Sequence, residues 1–122
     1  MSFIFTENTP FEWPVKICTP KAGGYDETTI TGLFETMDDV AFFAPGTDVS
    51  SMSGSIDLEI DRLMEVFKGW KDGEIKSPLG GNLEPTPENI RKVLGYRPAR
   101  LAVTAAYSEA LSPKNGYRAK NS

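Results

Sequence analysis

Apolar and polar residues alternate along this chain with two different periods, and the change of period divides it into a β-prone beginning and a helical remainder. In residues 11–19, FEWPVKICT, the side chains of Trp13, Val15 and Ile17 fall on one side and those of Glu12, Lys16 and Cys18 on the other. A two-residue period of this kind predicts a strand. Pro14 has no N–H to give to a ladder, so it predicts an edge position or the strand's beginning. The run Pro20-Lys21-Ala22-Gly23-Gly24 predicts a turn. Residues 28–37, TTITGLFETM, then place Ile30, Gly32, Phe34 and Thr36 on one face of a second strand. Two strands around a glycine turn predict an antiparallel hairpin. A bare hairpin is marginal in water and must lean on another surface.

Residues 55–70, SIDLEIDRLMEVFKGW, supply that surface. Ile56, Ile60, Leu63, Met64 and Phe67 stack on one side only if the backbone is helical. The acids come early and Lys68 and Lys71 late, as the helix dipole favours. Ser53 or Ser55 is the expected cap, and Gly69 the expected left-handed end. Before this helix, residues 38–43 (DDVAFF) fit a short helix or a third strand equally well, and residues 44–54 read as a linker. After it, residues 71–85 (KDGEIKSPLGGNLEP) form a long turn-rich loop, a class that is usually functional or mobile. Thr86-Pro87-Glu88-Asn89 opens a second helix with a cap, a proline at the first position and an early acid. Its stripe is Ile90, Val93 and Leu94, and Gly95 ends it. Arg97-Pro98 opens a third, with Ala99, Ala102, Val103, Ala106, Tyr107, Ala110 and Leu111 in register, and Ser112-Pro113 stops it. The expectation is an α+β chain: an N-terminal antiparallel β-hairpin or small sheet, then a helical C-terminal part of about three helices. Residues 1–10 are expected to be a loosely ordered start, 11–112 a single domain, and 113–122 a flexible basic tail.

Composition narrows the function by what it lacks. The 122 residues suit one domain that buries about two-thirds of its unfolded surface. There is no histidine, which removes His-based triads and His-ligated metals. One cysteine allows neither an internal disulfide nor a Cys-rich zinc site; Cys18 is expected to be a buried small hydrophobe. No apolar run nears the roughly 20 residues of a membrane span, so a cytoplasmic location is expected. The net charge of −4 divides into −9 over residues 1–61 and +5 over residues 62–122. This predicts two solvated faces, or a weak and salt-sensitive association of an otherwise monomeric chain. The basic residues are scattered, and no nucleic-acid-binding motif occurs. Asp38-Asp39 and the set Asp57, Glu59 and Asp61 are the acid clusters. Asp57 and Asp61 have the spacing to share a cation, although a solvated helix face accounts for them as well. Glu12 beside Trp13 has no second carboxylate assignable as a glycosidase partner. Neither Gly23-Gly24 nor Gly80-Gly81 has the spacing of a phosphate loop. No cofactor is implied, and the balance favours a binding protein over an enzyme.

The order of several short motifs resembles the tail assembly chaperones of long-tailed bacteriophages. The residues that carry the resemblance begin with Trp13-Pro14-Val15, Pro20 with Gly23-Gly24, and Leu33-Phe34. Phe67-Lys68-Gly69-Trp70 and Thr86-Pro87-Glu88-Asn89-Ile90 follow, then Ala106-Tyr107 with Glu109-Ala110, and finally Arg118, Lys120 and Asn121. Together they cover residues 12–121. The resemblance implies a non-enzymatic protein that binds the tape measure protein, keeps it soluble and helps recruit tail tube protein subunits. It also implies action in the host cytoplasm and absence from the mature virion. Many members have a longer frameshifted product, for which the basic tail here would be the unshifted end. The SPLGGNLEP loop departs from the family, being longer than in many relatives. A small head–tail or tail-completion protein that stays in the virion is the alternative with the same size and chemistry. For the chaperone, a groove lined by Phe67, Trp70, Val103 and Tyr107 is the expected seat of an apolar helical face, with Trp70 half-exposed as its anchor. Ordinary core is the competing role for these four.

Overall fold

The computed structural model describes residues 3, 5, 8–37 and 52–112. Within these, the strands β1 (Pro10–Lys21), β2 (Gly24–Glu35) and β3 (Phe67–Trp70) form one antiparallel sheet in that order. The helices are α1 (Met52–Val66), α2 (Pro87–Gly95) and α3 (Arg97–Ala110). The architecture is α+β, with the hairpin and the C-terminal helices where the two periods predict them.

β1 and β2 pair through their whole length around the turn at Ala22-Gly23, with Val15 opposite Ile30 and Trp13 opposite Gly32. Val15, Ile30 and Phe34 are buried on one face. Glu12, Lys16 and Cys18 lie on the other face and are exposed. The expectation of a buried Cys18 is therefore overturned, and by the same alternation that predicted the strand. Gly32 keeps the inner face shallow here, since a Cβ on it would stand 2.6 Å from Cε2 of Phe34 and 2.8 Å from Cγ2 of Val15.

Pro14 sits on an edge strand, as its missing N–H requires. Its partner Thr31 uses both backbone groups on the far side: Thr31 N–H donates to Glu74 Oε2 at 2.7 Å, and its carbonyl accepts from Lys71 N–H at 3.3 Å. Pro14 and Thr31 are thus a non-hydrogen-bonded pair, and even-numbered residues of β1 point their backbone polar groups outward. Pro10, Pro14 and Pro20 occupy three of the six such positions between Pro10 and Pro20. Half of the donors that this edge would offer another strand are absent.

The helix expected to run to Trp70 stops at Val66, and residues 67–70 turn directly into β3. Phe67 fits the helical stripe and a strand equally well locally; pairing with the open edge of β2 decides for the strand. Phe67 lies opposite Phe34 and Gly69 opposite Leu33, which leaves Lys68 as an extra residue, a β-bulge. The bulge resets the alternation, so that Phe67 and Trp70, three apart, both face the core. Gly69 does not end the helix. It lies in this bulged strand at φ +133°, and a Cβ there would come within 2.7 Å of Cβ of Pro85.

α1 buries Ile60, Leu63 and Val66, with Ile56 and Met64 packed at its margin. It begins at Met52, so Ser53 and Ser55 lie inside its first turn and not at the cap position. α2 starts as predicted: Thr86 Oγ1 accepts from Asn89 N–H at 3.2 Å, with Pro87 in the first turn. α3 buries Ala99, Ala102, Val103, Ala106 and Tyr107 of the predicted stripe, while Ala110 is half-buried and Leu111, at the helix end, is exposed. The small alanines let it lie closely against β1, where Trp13 Nε1 donates to Glu109 Oε1 at 3.0 Å.

Arg100 is the one buried charged residue among those described. Its Nη1 donates to Leu94 O at 2.9 Å and Gly95 O at 3.4 Å, the open carbonyls at the end of α2, and its Nε to Glu59 Oε2 on α1 at 3.1 Å. One guanidinium therefore joins all three helices. The segments expected to be a short helix or third strand (38–43), most of the linker (44–51), the basic tail (113–122) and half of the loose start (1, 2, 4, 6 and 7) lie outside the described residues.

Candidate functional site

The structure brings Phe67, Trp70, Val103 and Tyr107 together, but as core and not as a groove. Phe67, Trp70 and Val103 are each 1% exposed and Tyr107 5%. The ring of Phe67 lies 5.4 Å from that of Phe34 and 6.2 Å from that of Trp70, and Tyr107 is 6.1 Å from Phe34. Aromatic pairs at these separations are a mark of interior packing. The half-exposed anchor expected at Trp70 is overturned as well. The β-bulge turns the indole inward, and its N–H donates to Leu83 O at 2.9 Å. That bond fixes the base of the long loop to the core.

The loop from Lys71 to Pro85 is a small built structure. Leu83 N–H donates to Ile75 O at 2.8 Å, and Ser77 N–H to Gly81 O at 2.7 Å. Lys76 and Asn82 pair across it, and Lys76 Nζ donates to Asn82 Oδ1 at 2.6 Å. Leu79 stands at its tip, 97% exposed.

Between this loop, the inner face of the hairpin and α2 lies an open cleft of about 650 Å³. Ile17 and Ile30 from the sheet, Ile75 and Leu83 from the loop, and Val93 and Tyr96 from the helical side give it apolar walls. It forms because β1 and β2 reach past the helices. α3 covers the Trp13 end of the inner face, and among the described residues only residues 75–83 and α2 roof the remainder, in part. Lys76, Lys92 and Asn89 bring polar atoms to the rim, and among the described residues no carboxylate lines the cleft. A concave apolar surface with few polar groups is the usual form of a binding site.

The acidic residues prominent in the sequence have local partners. Asp61 Oδ1 accepts from both Arg91 Nη1 at 2.9 Å and Nη2 at 2.8 Å, Glu59 meets Arg100, and Glu12 lies 3.2 Å from Lys71 Nζ. Asp61 and Glu59 thus tie α1 to α2 and α3, and Asp57 is an exposed neighbour. Among the described residues, no group of three or more carboxylates and cysteines is arranged to hold a metal ion. Asp38-Asp39 lies outside the described residues. No helix among the described residues is long and apolar enough to cross a membrane.

Sequence periodicity does not assemble the residues that form the cleft. Ile17 and Ile30 carry a strand signal and Val93 a helix signal, but nothing local indicates that the three face one another. Compared with known proteins, the chain matches no family model, no curated protein and no solved structure.

Proposed function

We propose that this chain is a tail assembly chaperone of a long-tailed bacteriophage. It binds the tape measure protein, keeps that long helical chain soluble in the host cytoplasm, helps recruit tail tube subunits, and leaves before the virion is complete. The order of short motifs from Trp13-Pro14-Val15 to Ala106-Tyr107 supports the reading. The observation that carries it is the open apolar cleft of about 650 Å³ beside an internally hydrogen-bonded loop. A chaperone for amphipathic helices needs an apolar surface that its own fold leaves uncovered. The work is binding and requires no catalytic group or cofactor. Pro10, Pro14 and Pro20 along the outer edge of β1 speak against docking by strand addition at that edge.

The test is co-expression with the tape measure protein. That protein alone should aggregate; with this chain it should stay soluble and co-purify, and this chain should be missing from purified particles. Failure to solubilise or co-purify, together with presence in mature particles, would replace the chaperone by a small head–tail or tail-completion protein.

A further inference from the structure

We propose that the cleft seats the apolar face of a partner α-helix whose flanking positions carry carboxylates, with Lys76 and Lys92 as the groups that select them. The inference rests on the reading of this chain as a binder of amphipathic helices, and it names what such a helix must look like.

Charge argues for the acidic flank. The chain as a whole has a net charge of −4, yet among the described residues this concavity is rimmed by two lysines and lined by no carboxylate. Neither Lys76 nor Lys92 has an ion pair among the described residues, whereas Arg91, one position from Lys92, is already engaged with Asp61. The hydrogen bond from Lys76 Nζ to Asn82 Oδ1 at 2.6 Å holds that ammonium at the rim without neutralising it. A held charge loses less freedom on binding than a free one, and apolar walls strengthen its attraction for a carboxylate.

Shape argues for a helix. A cleft of about 650 Å³ has room for a short row of large side chains at i, i+3 or i+4, and i+7 of an entering helix. The walls come from three separate elements, with Ile17 and Ile30 on the floor, Ile75 and Leu83 on one side and Val93 and Tyr96 on the other. Leu79, next in the chain to the lining residue Pro78, is 97% exposed. The outer edge of β1 is a poor seat for an extended strand, because three of its six outward positions are prolines and carry no N–H.

The experiment uses the full chain and two synthetic helical peptides with the same leucine stripe, one with glutamates and one with lysines beside it. Binding is read by fluorescence anisotropy. The wild type should favour the glutamate peptide by about tenfold or more. The double substitution Lys76→Glu with Lys92→Glu, both at exposed positions, should keep the fold by circular dichroism and reverse the preference. Equal binding of the two peptides, or an unchanged preference in the double variant, would overturn the inference. So would a dimer of the free protein that the glutamate peptide dissociates, since the occupant would then be a second copy of this chain. If the peptides behave as expected but the tape measure protein is not rescued, the cleft assignment stands and the tail-assembly reading falls. Rescue of the tape measure protein without discrimination between the peptides has the opposite meaning.

Discussion

Replacing Arg100 by methionine should cost about 2–4 kcal/mol of stability, and the figure follows from what each of its bonds loses. The Arg100 side chain is 7% exposed, and methionine keeps its apolar stem while removing every donor. Glu59 is 49% exposed, so its released carboxylate returns to water at a cost of about 0–1 kcal/mol. The carbonyl of Leu94 has no such escape. It lies at the end of α2, where carbonyls lack partners within the helix, and it is buried. A charged donor to such a group contributes roughly 1.5–3 kcal/mol, and most of the loss should come from here. Glu59→Gln keeps an acceptor for Arg100 and should lose less than about 1 kcal/mol. Urea melts with equal slopes would measure both. A loss below about 1 kcal/mol for Arg100→Met would refute the account, because a buried carbonyl would then have been left open at little cost. Equal losses in the two variants would place the energy in the ion pair instead.

Phe67→Ala should destabilise the fold by about 3–5 kcal/mol in the same melts, as expected for a phenylalanine that is 1% exposed among Phe34 and Trp70. Trp70→Phe retains a ring in the core but removes the donor to Leu83 O. A stability loss of about 1–2 kcal/mol and faster amide exchange at Ser77 and Leu83 should follow, whereas unchanged exchange there would mean that the indole does not anchor the loop. Pro14→Thr combined with Pro20→Thr restores two outward N–H groups on β1 and should promote self-association in sedimentation runs. A variant as monomeric as the parent would show that something other than proline protects this edge.

Sequence periodicity reveals the hairpin, the cap at Thr86 and the inward stripe of α3, because in each case one element's own pattern contains the information. It fails where two elements decide together. Phe67 satisfies the helical stripe of α1 and the face of a strand equally well, and the unpaired edge of β2, more than thirty residues earlier, makes the choice. Gly69 signals a break but not its kind; a left-handed helix end and a bulged strand both use a glycine at positive φ. Arg100 reads as an ordinary charge on an alanine-rich helix. Its burial follows from the place where α2 ends, which α3 alone does not specify. The candidate site escapes for a related reason. The aromatic residues that suggest a groove are hydrophobic enough to be enclosed. The cleft is made by Ile17, Ile75 and Val93, plain aliphatic residues left partly exposed above the buried Ile30 because the hairpin outreaches the helices.

That geometry changes what mutations at Trp70 would mean. The indole is enclosed and out of a partner's reach, yet it holds Leu83, and Leu83 is a wall of the cleft. A substitution there can therefore weaken binding by freeing the loop, although the indole itself never meets the bound helix. Such a variant would show faster amide exchange across residues 75–83 and a reduced affinity for both peptides alike. Replacing the lysines acts differently: it leaves the walls in place and changes only which peptide is preferred. The two patterns separate the roles physically. Core residues such as Trp70 set whether the cleft exists, and Lys76 and Lys92 set which helix it accepts.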